Sequence, residues 1–92
     1  MDKITPVLLV CVYNKKGCLI THDIYYKLFS QYGVVRKLLI FTKAKVWKAF
    51  IEMDSMESAV NAKENLNDYV IFEDGSKINI FFSSLEHIEL QN

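Results

Sequence analysis

The chain has 92 residues, 51% of them hydrophobic and 24% charged, with a formal net charge of zero. That length is read as one domain, residues 1–92, with a single core, and the composition is that of an ordered globular chain, which excludes a disordered tail. No apolar run approaches the ~20 residues of a membrane helix and the N-terminus lacks a signal-peptide apolar region, so no membrane partner is expected.

Two cysteines, Cys11 and Cys18, make no disulfide framework. Their separation fits no common zinc spacing, and the histidines are only His22 and His87. Neither metal nor cofactor is expected, and a reducing intracellular compartment is the simplest setting.

Pro6 precedes the first predicted strand, Val7 to Tyr13, and Asn14-Lys15-Lys16-Gly17 is a turn cluster. Thr21 is the predicted N-cap of a helix with Asp23 in its first turn. Ile24, Tyr25, Leu28, Phe29 and Tyr32 fall on one stripe of that helix, and Gly33 ends it as a C′ residue. A second strand runs from Val35 to Thr42, and a third from Val46 to Met53. Asp54 and Glu57 read as a capping box for a second helix that sets Ala59, Ala62, Lys63 and Leu66 on one side. Tyr69 to Phe72 is a short extended piece, Glu73-Asp74-Gly75-Ser76 a tight turn, and Lys77 to Ser83 the fourth strand.

The order βαββαβ predicts an α+β ferredoxin-like sandwich: a four-stranded antiparallel sheet with both helices on one face. Period-2 alternation then assigns the bare face. It carries Leu9 and Cys11; Lys37, Leu39 and Phe41; Val46, Lys48 and Phe50; and Asn79, Phe81 and Ser83. So apolar a surface is costly with nothing bound to it. Phenyl rings are stacking platforms, lysines meet phosphates, and Asn79 and Ser83 reach base edges. A second reading stays open for three of these rings: the segment Leu85 to Leu90 can instead cover Phe41 and Phe81, and the tail or an oligomer can cap Phe50. Residues 36 to 48 hold Arg36, Lys37, Lys43, Lys45 and Lys48 and no acid, whereas Asp54, Glu57, Glu64, Asp68, Glu73 and Asp74 crowd residues 54 to 74 against Lys63. A neutral chain can therefore carry a basic patch.

These residues resemble an RNA-recognition motif. Leu8 to Tyr13 and Val46 to Met53 lie where that family has its first-strand and third-strand signatures. Lys48 replaces an aromatic, Trp47 a glycine and Leu9 an aromatic, while Phe50 keeps its platform. With Val12-Tyr13-Asn14, Leu28-Phe29-Ser30-Gln31-Tyr32-Gly33, Ile40-Phe41-Thr42-Lys43 and Phe82-Ser83-Ser84-Leu85, the chain is most similar to the polypyrimidine-tract-binding protein group, and within it to the second such motif.

The resemblance implies binding of short pyrimidine-rich single-stranded RNA by a monomeric module of a multi-module, nuclear and cytoplasm-shuttling regulator of splicing or mRNA processing. It implies apolar contacts from Leu39 and Phe41, phosphate contact from Lys43, contributions from Lys48, Phe50, Ser83 and Ser84, and a fifth strand near His87 to Leu90. A protein-interaction module is the competing class: a splicing co-regulator peptide on the helical face, with Phe72 where the group has a tyrosine. An acylphosphatase-type enzyme shares the architecture, but Asn14 to Gly17 holds no arginine to cradle a phosphate and no acid–base pair stands out, so no enzymatic activity is expected.

Overall fold

The computed structural model describes residues 3–13, 20–43, 46–71, 75–85 and 88, with residues 42 and 43 described by their backbone alone. Six elements follow in chain order: β1 Val7–Tyr13, α1 His22–Phe29, β2 Val35–Lys43, β3 Val46–Met53, α2 Met56–Leu66 and β4 Ile78–Phe82. All strand neighbours are antiparallel, in the order β2-β3-β1-β4. This is the expected ferredoxin-like βαββαβ arrangement.

The core lies between the sheet and the helices. Leu8, Val10 and Val12 of β1 are fully buried, as are Ala49 and Ile51 of β3 and Ile78 of β4. Tyr25 and Phe29 of α1 meet them, their rings 6.4 Å apart and tilted by 58°. From α2 come Ala59, Ala62 and Leu66, and the two small alanines let the helix lie close to the sheet.

The helix starts follow local chemistry, once as expected and once displaced by a residue. Thr21 accepts the Ile24 amide through Oγ1 at 3.4 Å and caps α1. In α2 the cap is Ser55, not Asp54: its Oγ accepts the Ser58 amide at 3.1 Å, so the expected Asp54–Glu57 box does not form. Gly33 is also placed differently. Helix α1 ends at Phe29 with Ser30 as C-cap, and Gly33 lies beyond it at φ +154°. A Cβ there would fall inside the Ser58 side chain, so glycine is needed for the close approach of the α1–β2 turn to the start of α2.

Two strand ends also differ from the alternation. A register shift between Val35 and Lys37 adds a residue to β2. Val35 therefore enters the core while Lys37, two positions on, still faces the other way. Strand β4 ends at Phe82, and Val70 pairs with Lys77 as an isolated bridge. The expected contribution of Phe72 lies outside the described residues, as does the stretch His87 to Leu90 apart from Ile88.

Tyr25 is fully buried, and its hydroxyl has no hydrogen-bond partner among the described residues. Burial, and secondarily the charge Cys11 would carry as thiolate, pushes its phenol up to about 12. An unfolded tyrosine ionises near ~10. The unfolded chain thus loses this proton first, and the stabilisation present below pH ~10 fades as pH rises toward 12. Tyr25→Phe should be at least as stable as the parent at neutral pH, because it deletes an unpaired buried hydroxyl. Its stability relative to the parent should grow between pH 10 and 12, measured by urea unfolding at each pH. Gly33→Ala should cost at least ~2 kcal/mol through backbone strain and displacement of Ser58.

Candidate nucleic-acid interface

The register lays the helix-free face out as rows that run across the strands. One row is Leu39–Phe50–Leu9–Phe81, each residue the Cα partner of the next on β2, β3, β1 and β4. Leu39 is 38% and Phe81 51% exposed, and Leu9 and Phe50 are half-buried between them. The next row is Phe41–Lys48–Cys11–Asn79. A third is Lys43–Val46–Tyr13. The Phe41 and Phe50 rings lie diagonally across two rows, 5.4 Å apart and tilted by 35°.

The polar groups of the face are oriented. Asn79 is exposed and donates through Nδ2 to Asp68 Oδ1 at 3.1 Å. Asp68 stands in a left-handed turn at φ 67°, and neighbouring Asn67 accepts the Ile80 amide at 2.7 Å. With its amide nitrogen on the Asp68 carboxylate, Asn79 keeps its side-chain oxygen as an acceptor. Burial pushes the Cys11 thiol up, an effect partly offset by the Lys48 ammonium. Lys48 stands half-buried between Phe41 and Cys11, with its charge set in the apolar surface. Among the described residues no group of three or more His, Cys, Asp or Glu side chains is placed to hold a metal.

Leu9, Leu39, Phe41, Lys48, Phe50, Asn79 and Phe81 are thus gathered on one face. Phe81 is half exposed, and of the segment Leu85 to Leu90 that could cover it only Leu85 and Ile88 lie among the described residues. Lys43 reaches the face by backbone register, and its side chain lies outside the described residues. Ser84 is exposed beyond β4.

Ser83 and Lys37 have the parity of the open face, but each is engaged by another part of the chain. Ser83, one residue past the end of β4, is 8% exposed: its amide donates to Val7 O at 2.9 Å, its Oγ accepts the Leu85 amide at 3.0 Å, and its carbonyl accepts Thr5 Oγ1 at 2.6 Å. Lys37 donates through Nζ to the Ile88 carbonyl at 2.8 Å. Its register partner Glu52, 6% exposed, accepts the Ile88 amide on Oε1 at 2.7 Å. Hydrogen bonds to charged groups are worth about 1.5–3 kcal/mol each, and burying an isoleucine side chain adds about as much. One stacked base gains only ~1–3 kcal/mol.

Two features of the face escaped the reading of the sequence. Tyr13, 51% exposed, shares the parity of Leu9 and Cys11, so alternation alone could have found it. The burial of Glu52 had no local signal, since its partner is 36 residues away.

The RNA recognition motif family model (also called RRM, RBD or RNP domain) matches residues 2–92, and the chain belongs to that family. Among curated proteins it is similar to polypyrimidine tract-binding protein homolog 3 of Arabidopsis thaliana, 30% identical over 89 residues, covering 97% of this chain and 20% of that protein. Homolog 1 of the same plant is 34% identical over 84 residues, covering 91% of this chain and 21% of that protein. The chain spans about a fifth of the length of these relatives. In fold it matches the Mip6 RRM3 domain at a TM-score of 0.72 with 21% identity, covering 90% of this chain and 98% of that one. It matches the Rna15 RRM, solved with bound RNA (GU), at 0.70 with 24% identity, covering 91% and 88%.

Because Phe50 belongs to this open face and not to the core, Phe50→Ala should cost less than ~2 kcal/mol of folding stability. Phe29→Ala, in the core, should cost about 3–5 kcal/mol. Urea denaturation of both variants against the parent checks the contrast.

Proposed function

We propose that this domain binds short, pyrimidine-rich single strands of RNA across the open sheet face, as one module of a longer nuclear, cytoplasm-shuttling regulator of splicing or mRNA processing. The observation that carries the proposal is the unbroken apolar row Leu39–Phe50–Leu9–Phe81 with Lys48 and Asn79 in the row beside it. The name of the curated relatives, polypyrimidine tract-binding protein homologs, supports the pyrimidine preference. A small ring also suits a surface where Leu9 and Leu39 stand beside the phenyl platforms and leave no room for a broad aromatic sandwich.

The roles follow from chemistry. Phe50, Phe41 and Phe81 stack bases, while Leu9 and Leu39 pack beside them. Lys48 and Lys43 neutralise phosphates. Asn79 and Ser84 offer polar groups to base edges. This is a binding surface, and the proposal assigns it no reaction. Two to four bases fit across it, which at ~1–3 kcal/mol each, less the cost of association, gives micromolar or weaker affinity. Tighter binding would come from linked sister modules.

Fluorescence anisotropy with labelled U/C-rich, poly-A and duplex oligomers at fixed salt tests this. The U/C-rich strand should bind most tightly. Phe50→Ala should weaken it by about 1–3 kcal/mol without unfolding the domain. Lys48→Ala should weaken every sequence alike and lower the salt slope by ~0.7. Equal affinity for the three oligomers, or no binding at about millimolar protein, would overturn the proposal and favour a partner peptide on the helices.

A further inference from the structure

Glu52 is the only acid that the described strand residues place on the open face. On a surface that meets phosphate, an unpaired carboxylate would repel the ligand. Here it is 6% exposed and engaged. Both peptide groups of Ile88 are gripped: the amide by Glu52 at 2.7 Å, the carbonyl by Lys37 at 2.8 Å. Lys37 and Glu52 are register partners one row beyond Leu39 and Phe50, so Ile88 is held over the sheet itself.

The burial agrees. Val7 pairs with Glu52 and by parity faces the same side as Leu9, yet it is fully buried. Ile88 is 2% exposed. Neither belongs to the core cluster between sheet and helices. They are buried on the other side, at one end of the open face.

We propose that Lys37 and Glu52 form a clamp that fixes the chain at Ile88 and closes this end of the face to nucleic acid, a role that rests on the RNA-binding reading above. The nucleotide path then begins at the Leu39–Phe50–Leu9–Phe81 row and runs toward Tyr13. Lys37 positions the chain and adds no phosphate contact. The clamp holds more than one stacked base can displace, so it limits the path instead of yielding to the ligand.

Two readouts test this. In the free protein, amide hydrogen exchange followed by NMR should find the Ile88 amide protected. Glu52→Ala should accelerate its exchange at least tenfold, and Lys48→Ala should not. An Ile88 amide that exchanges like an unstructured one in the parent overturns the clamp. With an octauridylate probe, Lys37→Ala should leave the salt slope at the parent value while Lys48→Ala lowers it by ~0.7. In Glu52→Ala the released ammonium should steepen the slope by ~0.7, and adding Lys37→Ala should cancel that gain. A Lys37→Ala slope that falls as far as that of Lys48→Ala overturns the proposal, and this comparison stands even if Glu52→Ala fails to fold. If the parent binds no octauridylate, the RNA reading fails and the path-limiting role falls with it, while exchange at Ile88 still decides whether the clamp exists.

Discussion

The register of β1 is the constraint on which the rest of the molecule depends. This strand lies between β3 and β4 and pairs with both. Leu8, Val10 and Val12 are fully buried against the helices, and that burial holds the register. Leu9 is thereby set between Phe50 and Phe81, and Cys11 between Lys48 and Asn79. A slip of one residue would turn Leu8 and Val10 outward and Leu9 inward, destroying core and face together. The same burial that stabilises the fold therefore lays out the open rows.

Electrostatics follows from the same layering. The chain is neutral overall, and its helices carry charge of both signs: Asp23 and Lys27 on α1, Glu57, Lys63 and Glu64 on α2. The open face carries Lys48 in an apolar surround, and the one acid among its described strand residues, Glu52, is spent on a backbone amide. An acid held in this way lets a chain of zero net charge present a face acceptable to phosphate.

Local chemistry made much of this legible in the residues. Alternation placed β1 and β3, and it put Leu9, Leu39, Phe41, Lys48, Phe50 and Phe81 on one face. Thr21 announced the start of α1. The misplacements were made where a residue's environment is set by distant chain. Asp54 and Ser55 are both good caps, and the approach of Gly33 to Ser58 and Asp54 is a tertiary fact that no window of sequence contains. Ser83 has the parity of an outward residue, but the strand stops at Phe82 and Thr5, 78 positions away, captures its carbonyl. Lys37 reads as a phosphate-meeting lysine and Glu52 carries no signal of its own, because Ile88, which both hold, lies 51 and 36 residues from them.

The central claim is that the function lies on the helix-free face, along rows fixed by the β1 register. The most direct measurement is an NMR titration of the isotope-labelled domain with a U/C-rich oligomer, followed residue by residue. The account predicts the largest shifts at Leu9, Cys11, Leu39, Phe41, Lys48, Phe50 and Phe81, with little change at Ala59, Ala62 and Leu66 of α2. Shifts concentrated on α1 and α2, with the Leu39–Phe50–Leu9–Phe81 row unmoved, would contradict it.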